Sequence, residues 1–213
     1  MILRATLLSS LLVLTACGGT TNNPVPAGTL SQTSTDWYLR YGAGTPDHPT
    51  VVAGAAWALP FPQMPGSVHY VTTPYRPAHS IAGGTLSLTF RVVSNDPNYS
   101  LADPKTYGTP ALHLFIERAH DDFTNPSYRW WCAGGSYALG TADNQVITVS
   151  CPLTPEAWTQ VEGRTDPQQF QATLDDLEWV GFTLGASAGW GHGVGLASGS
   201  AQFELLSATL RGQ

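Results

Sequence analysis

GTLSLTFRVV, residues Gly84–Val93, alternates apolar and polar side chains without a break. Leu86, Leu88, Phe90 and Val92 fall on one side, Ser87, Thr89 and Arg91 on the other. A period of two over this length marks a strand with one buried face. Moving outward, the same pattern recurs. PALHLFIERA (110–119) sets Leu112, Leu114 and Ile116 against His113, Phe115 and Glu117. In SYRWWC (127–132), Tyr128, Trp130 and Cys132 share one face while Arg129 and Trp131 share the other. QVITVSCPL (145–153) places Ile147, Val149 and Cys151 on its apolar side. LEWVGFTLG (177–185) alternates Val180, Phe182 and Leu184 with Trp179, Gly181 and Thr183, and SAQFELLSATLR (200–211) supplies a terminal strand around Phe203 and Leu205. Before Gly84, DWYLRY (36–41), TVVAGAAWAL (50–59) and SVHYVT (67–72) complete a set of roughly eight or nine strands.

One helix interrupts them, near 167–177. Asp166 is its N-cap, Pro167 its first residue and Gln169 the third position of a capping box, with Phe170, Leu174 and Leu177 recurring along one face. Many alternating strands with a single short helix predict an all-β domain, a two-sheet antiparallel β-sandwich of jelly-roll type.

The first residues tell where the protein works. MILRATLLSSLLVLTACGGT carries a basic residue at Arg4, an apolar run too short to span a bilayer, and small residues before a cysteine. Leu14-Thr15-Ala16-Cys17 resembles the lipobox of bacterial lipoproteins. The resemblance implies a signal peptide over 1–16, an acylated Cys17 as the new N-terminus, and the lipid bilayer as partner. Gly18 is similar to outer-membrane sorting signals, so the expected location is the bacterial cell envelope, lipid-anchored at the outer membrane. Small polar residues and prolines over 17–35 read as a tether, leaving 36–213 as one domain. In an exported protein the remaining pair, Cys132 and Cys151, is expected to form a disulfide, most simply from the same face of neighbouring strands. The alternative is two buried thiols.

A net charge of −6 argues against a nucleic-acid partner. No C-x-x-C, H-E-x-x-H, Walker or dinucleotide-binding pattern occurs, so redox, zinc and nucleotide chemistry have no residues to rest on. With its aromatics, its Arg129-Trp131 strand and its Gly-Trp-Gly-His-Gly loop, the domain is similar in architecture to β-sandwich carbohydrate-binding modules and galactose-binding-like domains. That resemblance implies a glycan ligand and no catalysis. Arg91, His113, Glu117, Arg129 and Trp131 would form its site if their strands are neighbours, because an indole plane and charged fork donors suit a sugar ring. The bland reading is a solvated face with cross-strand ion pairs such as Glu117 with Arg129. Trp190 and His192, in the glycine-dense stretch 185–201, are candidates for a rim. Asp121, Asp122 and Asn125 offer oxygen ligands for a structural calcium, against the commoner reading of a solvated turn; no other cofactor is expected. Two rival functions share these residues. One is a polysaccharide-active hydrolase or lyase using Glu117 or His113 as acid/base, and the other is a structural envelope scaffold.

Overall fold

The computed structural model describes residues 28–78, 80–103, 105, 108–187 and 192–212. The segment 1–16 expected to be a signal peptide, Cys17 and Trp190 lie outside the described residues. The strands are β1 (Tyr38–Arg40), β2 (Trp57–Pro60), β3 (Tyr70–Pro74), β4 (Thr85–Ser100), β5 (Pro110–Arg118), β6 (Arg129–Ala138), β7 (Val146–Pro152), β8 (Trp158–Gln160), β9 (Leu177–Ala186) and β10 (Gly195–Arg211). The helix α1 spans Pro167–Asp175.

These strands build two antiparallel sheets, as the alternation predicts: a six-stranded sheet in the order β1-β3-β9-β5-β6-β8 and a four-stranded sheet in the order β2-β10-β4-β7. Pairing follows the apolar parity. Leu86 lies opposite Cys151, Leu88 opposite Val149 and Phe90 opposite Ile147, and on the other side of β4 Val92 lies opposite Phe203 and Phe90 opposite Leu205. Leu112, Leu114, Ile116, Val180, Phe182 and Leu184 bring the facing layer from β5 and β9. Phe203 joins the layers, its ring centroid 4.6 Å from Phe182 and 5.0 Å from Phe90. A register slip of one residue would turn every one of these side chains to the other face, which fixes the pairing.

Asp166 caps α1, accepting from the N–H groups of Gln168 (3.0 Å) and Gln169 (3.1 Å). Phe170 and Leu174 are buried and close one end of the sandwich over Trp130, whose indole N–H donates to the Thr173 hydroxyl at 3.0 Å. Leu177 opens β9 instead of extending the helix, because Asp176 leaves helical geometry (φ −132°, ψ 44°).

Three expectations are corrected. Cys132 and Cys151 are bonded, but they stand on β6 and β7, so the bridge joins the two sheets rather than neighbours within one. The fold begins before residue 36: Thr29 bridges Thr209 on β10, Leu30 is buried, and Trp37 packs on Trp57 at 5.1 Å. Residues 28–35 therefore belong to the domain and not to a tether. Finally, β4 and β5 are in different sheets, which separates Arg91 from the other residues expected beside it.

Candidate functional site

The outer face of the six-stranded sheet is where the polar side chains of the sequence pattern meet. Cross-strand partners set up its rows. Arg40 lies opposite Tyr70, Tyr70 opposite Thr183 and Thr183 opposite His113. The next row runs Tyr38, Thr72, Gly181, Phe115, Trp131, Thr159. Then Trp179, Glu117 and Arg129 stand side by side. This face is not bare. Tyr70, Phe115, Phe123 and Trp131 make a second apolar cluster, apart from the main core, with Val161 and Trp179 packed against it.

The connection 119–128 between β5 and β6 supplies the cover. Phe123 adopts φ +57°, a left-handed conformation costly for a non-glycine residue, and its ring is buried 5.2 Å from Tyr70 and 5.7 Å from Phe115. Its N–H donates to Glu117 Oε1 at 3.1 Å. Asp121 shapes the same turn, accepting from the Thr124 N–H (3.1 Å), the Thr124 hydroxyl (2.6 Å) and the Asn125 N–H.

Glu117 is fully buried beneath this cover. Burial first, then the neighbouring Asp121 carboxyl, pushes its pKa up to about 9, against the opposing pull of Arg129 and the Phe123 N–H. At neutral pH it is therefore a protonated acid. Its Oε2 meets no protein donor, which suits an oxygen that carries the proton and gives it to Asp121. Burial raises Asp121, but the donors from Thr124, Asn125 and Glu117 outweigh it and hold its carboxylate below the ordinary range.

Above this layer runs a strip of rings that reaches solvent. Tyr41, 58% exposed and at φ +56°, lies 5.9 Å from His69 and 6.0 Å from Phe123. His69 stacks on Tyr70 at 4.3 Å and faces His192 at 6.5 Å. On the other side Phe123 approaches Trp179 (6.4 Å), and Trp179 meets Tyr38 edge-on (5.8 Å). The Arg40 guanidinium sits 4.9 Å from the Trp179 ring centroid and 5.6 Å from those of Tyr38 and Phe123, with the exposed Asp122 carboxylate 3.9 Å away. A cleft of about 270 Å³ opens among Leu39, Arg40, Tyr41, Asp122 and Phe123. It combines ring faces, a planar cation, a carboxylate and a phenol.

Of the residues singled out from sequence, His113, Glu117, Arg129 and Trp131 share this face, and His192 stands at its margin. Trp131 is 3% exposed, not a displayed platform, because Phe123 and its loop close over it. His113 is buried as well. Its Nε2 donates to the Ala186 carbonyl at 3.1 Å, and burial lowers its pKa despite support from the Ala186 and Cys132 carbonyls. Arg91 lies across the sandwich, on the outside of the four-stranded sheet, where it is ion-paired with Glu204. Asp121, Asp122 and Asn125 diverge: Asp122 turns to Arg40 and Asn125 Oδ1 accepts from Ser127. Among the described residues no three His, Cys, Asp or Glu side chains are placed to hold a metal ion.

Of the residues that reach solvent here, Arg40, Tyr41, His69, Asp122 and Trp179, only Asp122 is a candidate on sequence grounds. Phe123 left one signal, an apolar ring in the otherwise polar stretch His120–Asn125. Tyr38 and Arg40 left another, since alternation puts both on one side of β1.

No family model and no curated protein matches the chain. Among solved structures, it is similar to a xylan-binding module CBM15, over 83% of this chain and 94% of that one, with 11% sequence identity and a TM-score of 0.46.

Proposed function

We propose that this is a glycan-binding domain of the bacterial envelope, held to a membrane by an acylated Cys17 and without catalytic activity. The observation that carries the binding reading is the solvent-reaching ring strip around the Arg40–Asp122 cleft. An exposed phenol and a half-buried indole offer flat apolar contact to the faces of a pyranose, while a guanidinium and a carboxylate beside them suit its hydroxyls as donor and acceptor. A cleft of about 270 Å³ is the right scale for one sugar unit of a longer chain.

The enzymatic rival loses its acid/base residues to burial. Glu117 and His113 are both buried, Glu117 engaged with the Phe123 N–H and Asp121 and His113 with the Ala186 carbonyl, which argues against either as the acid/base of a glycosidase. Anchoring follows from the lipobox-like Leu14–Cys17 alone. A glycan array probed with the purified protein tests the binding reading, with Tyr41→Ala as its partner experiment. Tyr41 is largely exposed, so its removal is expected to weaken retention on the bound glycan roughly ten-fold while shifting the melting temperature little. Failure of the intact protein to bind any glycan would remove the proposal.

A further inference from the structure

Glu117 and Arg129 are direct cross-strand partners, the arrangement that normally makes an ion pair. They make none. Among the described residues no carboxylate lies within ion-pair distance of the Arg129 guanidinium. The Glu117 carboxyl is engaged with the Phe123 N–H and with Asp121. Arg129 has the Tyr70 hydroxyl as a hydrogen-bond partner, and its Nε is buried with no acceptor.

Beside it the imidazole of His69 repeats the pattern. Its Nε2 is buried without a partner. Burial first, then electrostatic interaction with His192 and with the Arg129 guanidinium, holds its pKa down at about 3. A half-buried guanidinium thus stands between a neutral acid and a neutral imidazole, in a chain whose net charge is −6. Buried charges in folded proteins are paired, and an unpaired one is costly.

We propose that the corner formed by His69, Arg129 and His192 is an oxyanion subsite, and that the glycan held on this face carries carboxylates, as a polymer of uronic acids does. The proposal rests on the glycan-binding reading of the ring strip and names the ligand class for it. Placement supports it: His69 lies 5.9 Å from Tyr41 and directly on Tyr70, so a sugar resting on Tyr41 has its edge substituent over this corner. A guanidinium offers a planar fork that matches a carboxylate, and an imidazole N–H adds a further donor. The anion supplies the countercharge that Glu117, being protonated, does not.

Calorimetric titration of the full chain with three probes of equal length tests it: an oligouronate, the same oligosaccharide after carboxyl reduction, and a neutral oligosaccharide bearing sulfate esters. The oligouronate is expected to bind roughly ten-fold or more tighter than its reduced form, the size of one charge-assisted contact. Arg129→Gln should bring that ratio close to one, and Arg129→Lys should restore part of it. In the unmodified protein, the His69 ring resonances should report a raised pKa on adding oligouronate, a reading that needs no variant to fold. Equal binding of acidic and reduced probes overturns the proposal while leaving the glycan-binding reading standing. Preference for the sulfated probe overturns the carboxylate assignment. No binding of any probe, with an array that is also blank, removes both.

Discussion

Glutamine in place of Glu117 should make the domain more stable, and increasingly so as pH rises. In the unfolded chain this side chain ionises near 4.5, whereas the folded domain keeps its proton until about 9. Between those values the folded state binds more protons than the unfolded state, so stability falls with rising pH, by at most about 1.4 kcal/mol per unit. From pH 5 to pH 8 the loss attributable to Glu117 is about 2 to 4 kcal/mol, the lower figure allowing for relaxation around the buried group. Glutamine keeps the carbonyl that accepts from the Phe123 N–H and offers an amide donor to Asp121, but it has no charge to acquire. Asp121 contributes in the opposite sense: its lowered pKa adds stability that is lost only as pH falls through that depressed value, below the range used here. His69 and His113, both lowered, titrate alike in the two proteins and cancel in the difference. Urea unfolding followed by tryptophan fluorescence at intervals from pH 5 to pH 8 measures the effect. Parallel pH profiles for wild type and Glu117→Gln, or a variant less stable at every pH, would refute the account of Glu117 as a buried neutral acid.

Trp130→Ala and Trp131→Ala should both destabilise by about 3 to 5 kcal/mol, since each ring is buried, one over α1 and the other under Phe123; a thermal melt of Trp131→Ala close to wild type would contradict the second cluster. Reduction, or Cys132→Ser with Cys151→Ser, should cost about 3 kcal/mol in the chain-entropy picture of a loop with sequence separation 19, and native protein should show no alkylatable thiol at either position. Cys17→Ser should release the protein from the membrane fraction and block the globomycin-sensitive processing step, whereas recovery in the pellet at wild-type level would end the lipoprotein reading.

The sandwich was legible because its inner faces keep strict parity. Leu86, Leu88 and Phe90 on β4, and Val180, Phe182 and Leu184 on β9, announce both the strand and its buried side. Parity does not say which strands share a sheet. Arg91 and Glu117 look alike in sequence, each a charge on the polar side of a strand, yet β4 and β5 face each other across the core. Nor does parity say whether an outer face is wet. Trp131 and His113 lie on the polar side as expected and are buried all the same, Trp131 in a cluster with Phe123, which folds back from a turn at φ +57°, and His113 with its ring turned to the Ala186 carbonyl. Of the site residues that do reach solvent, Trp179 sits in the alternation of β9, but Arg40, Tyr41, His69 and Asp122 come from the short strand β1 and from connecting segments, where parity gives little guidance. Cys132 and Cys151 illustrate the same limit: their pairing was expected, while their position between sheets depends on topology.

That bridge has a mechanical consequence. If the domain is fastened to a membrane at one end and grips a polymer through its surface, as proposed, it is loaded in tension whenever the polymer is dragged. Pulled apart from its termini, the chain would pay out slack from every segment except the one closed between Cys132 and Cys151, and about 65 Å of contour would stay locked behind a covalent stitch until a reductant cut it. In a force-extension trace this appears as an unfolding step shorter by that length under oxidising conditions. Because the stitch also ties one sheet to the other, β6 and β7 stay joined while the sandwich is torn open.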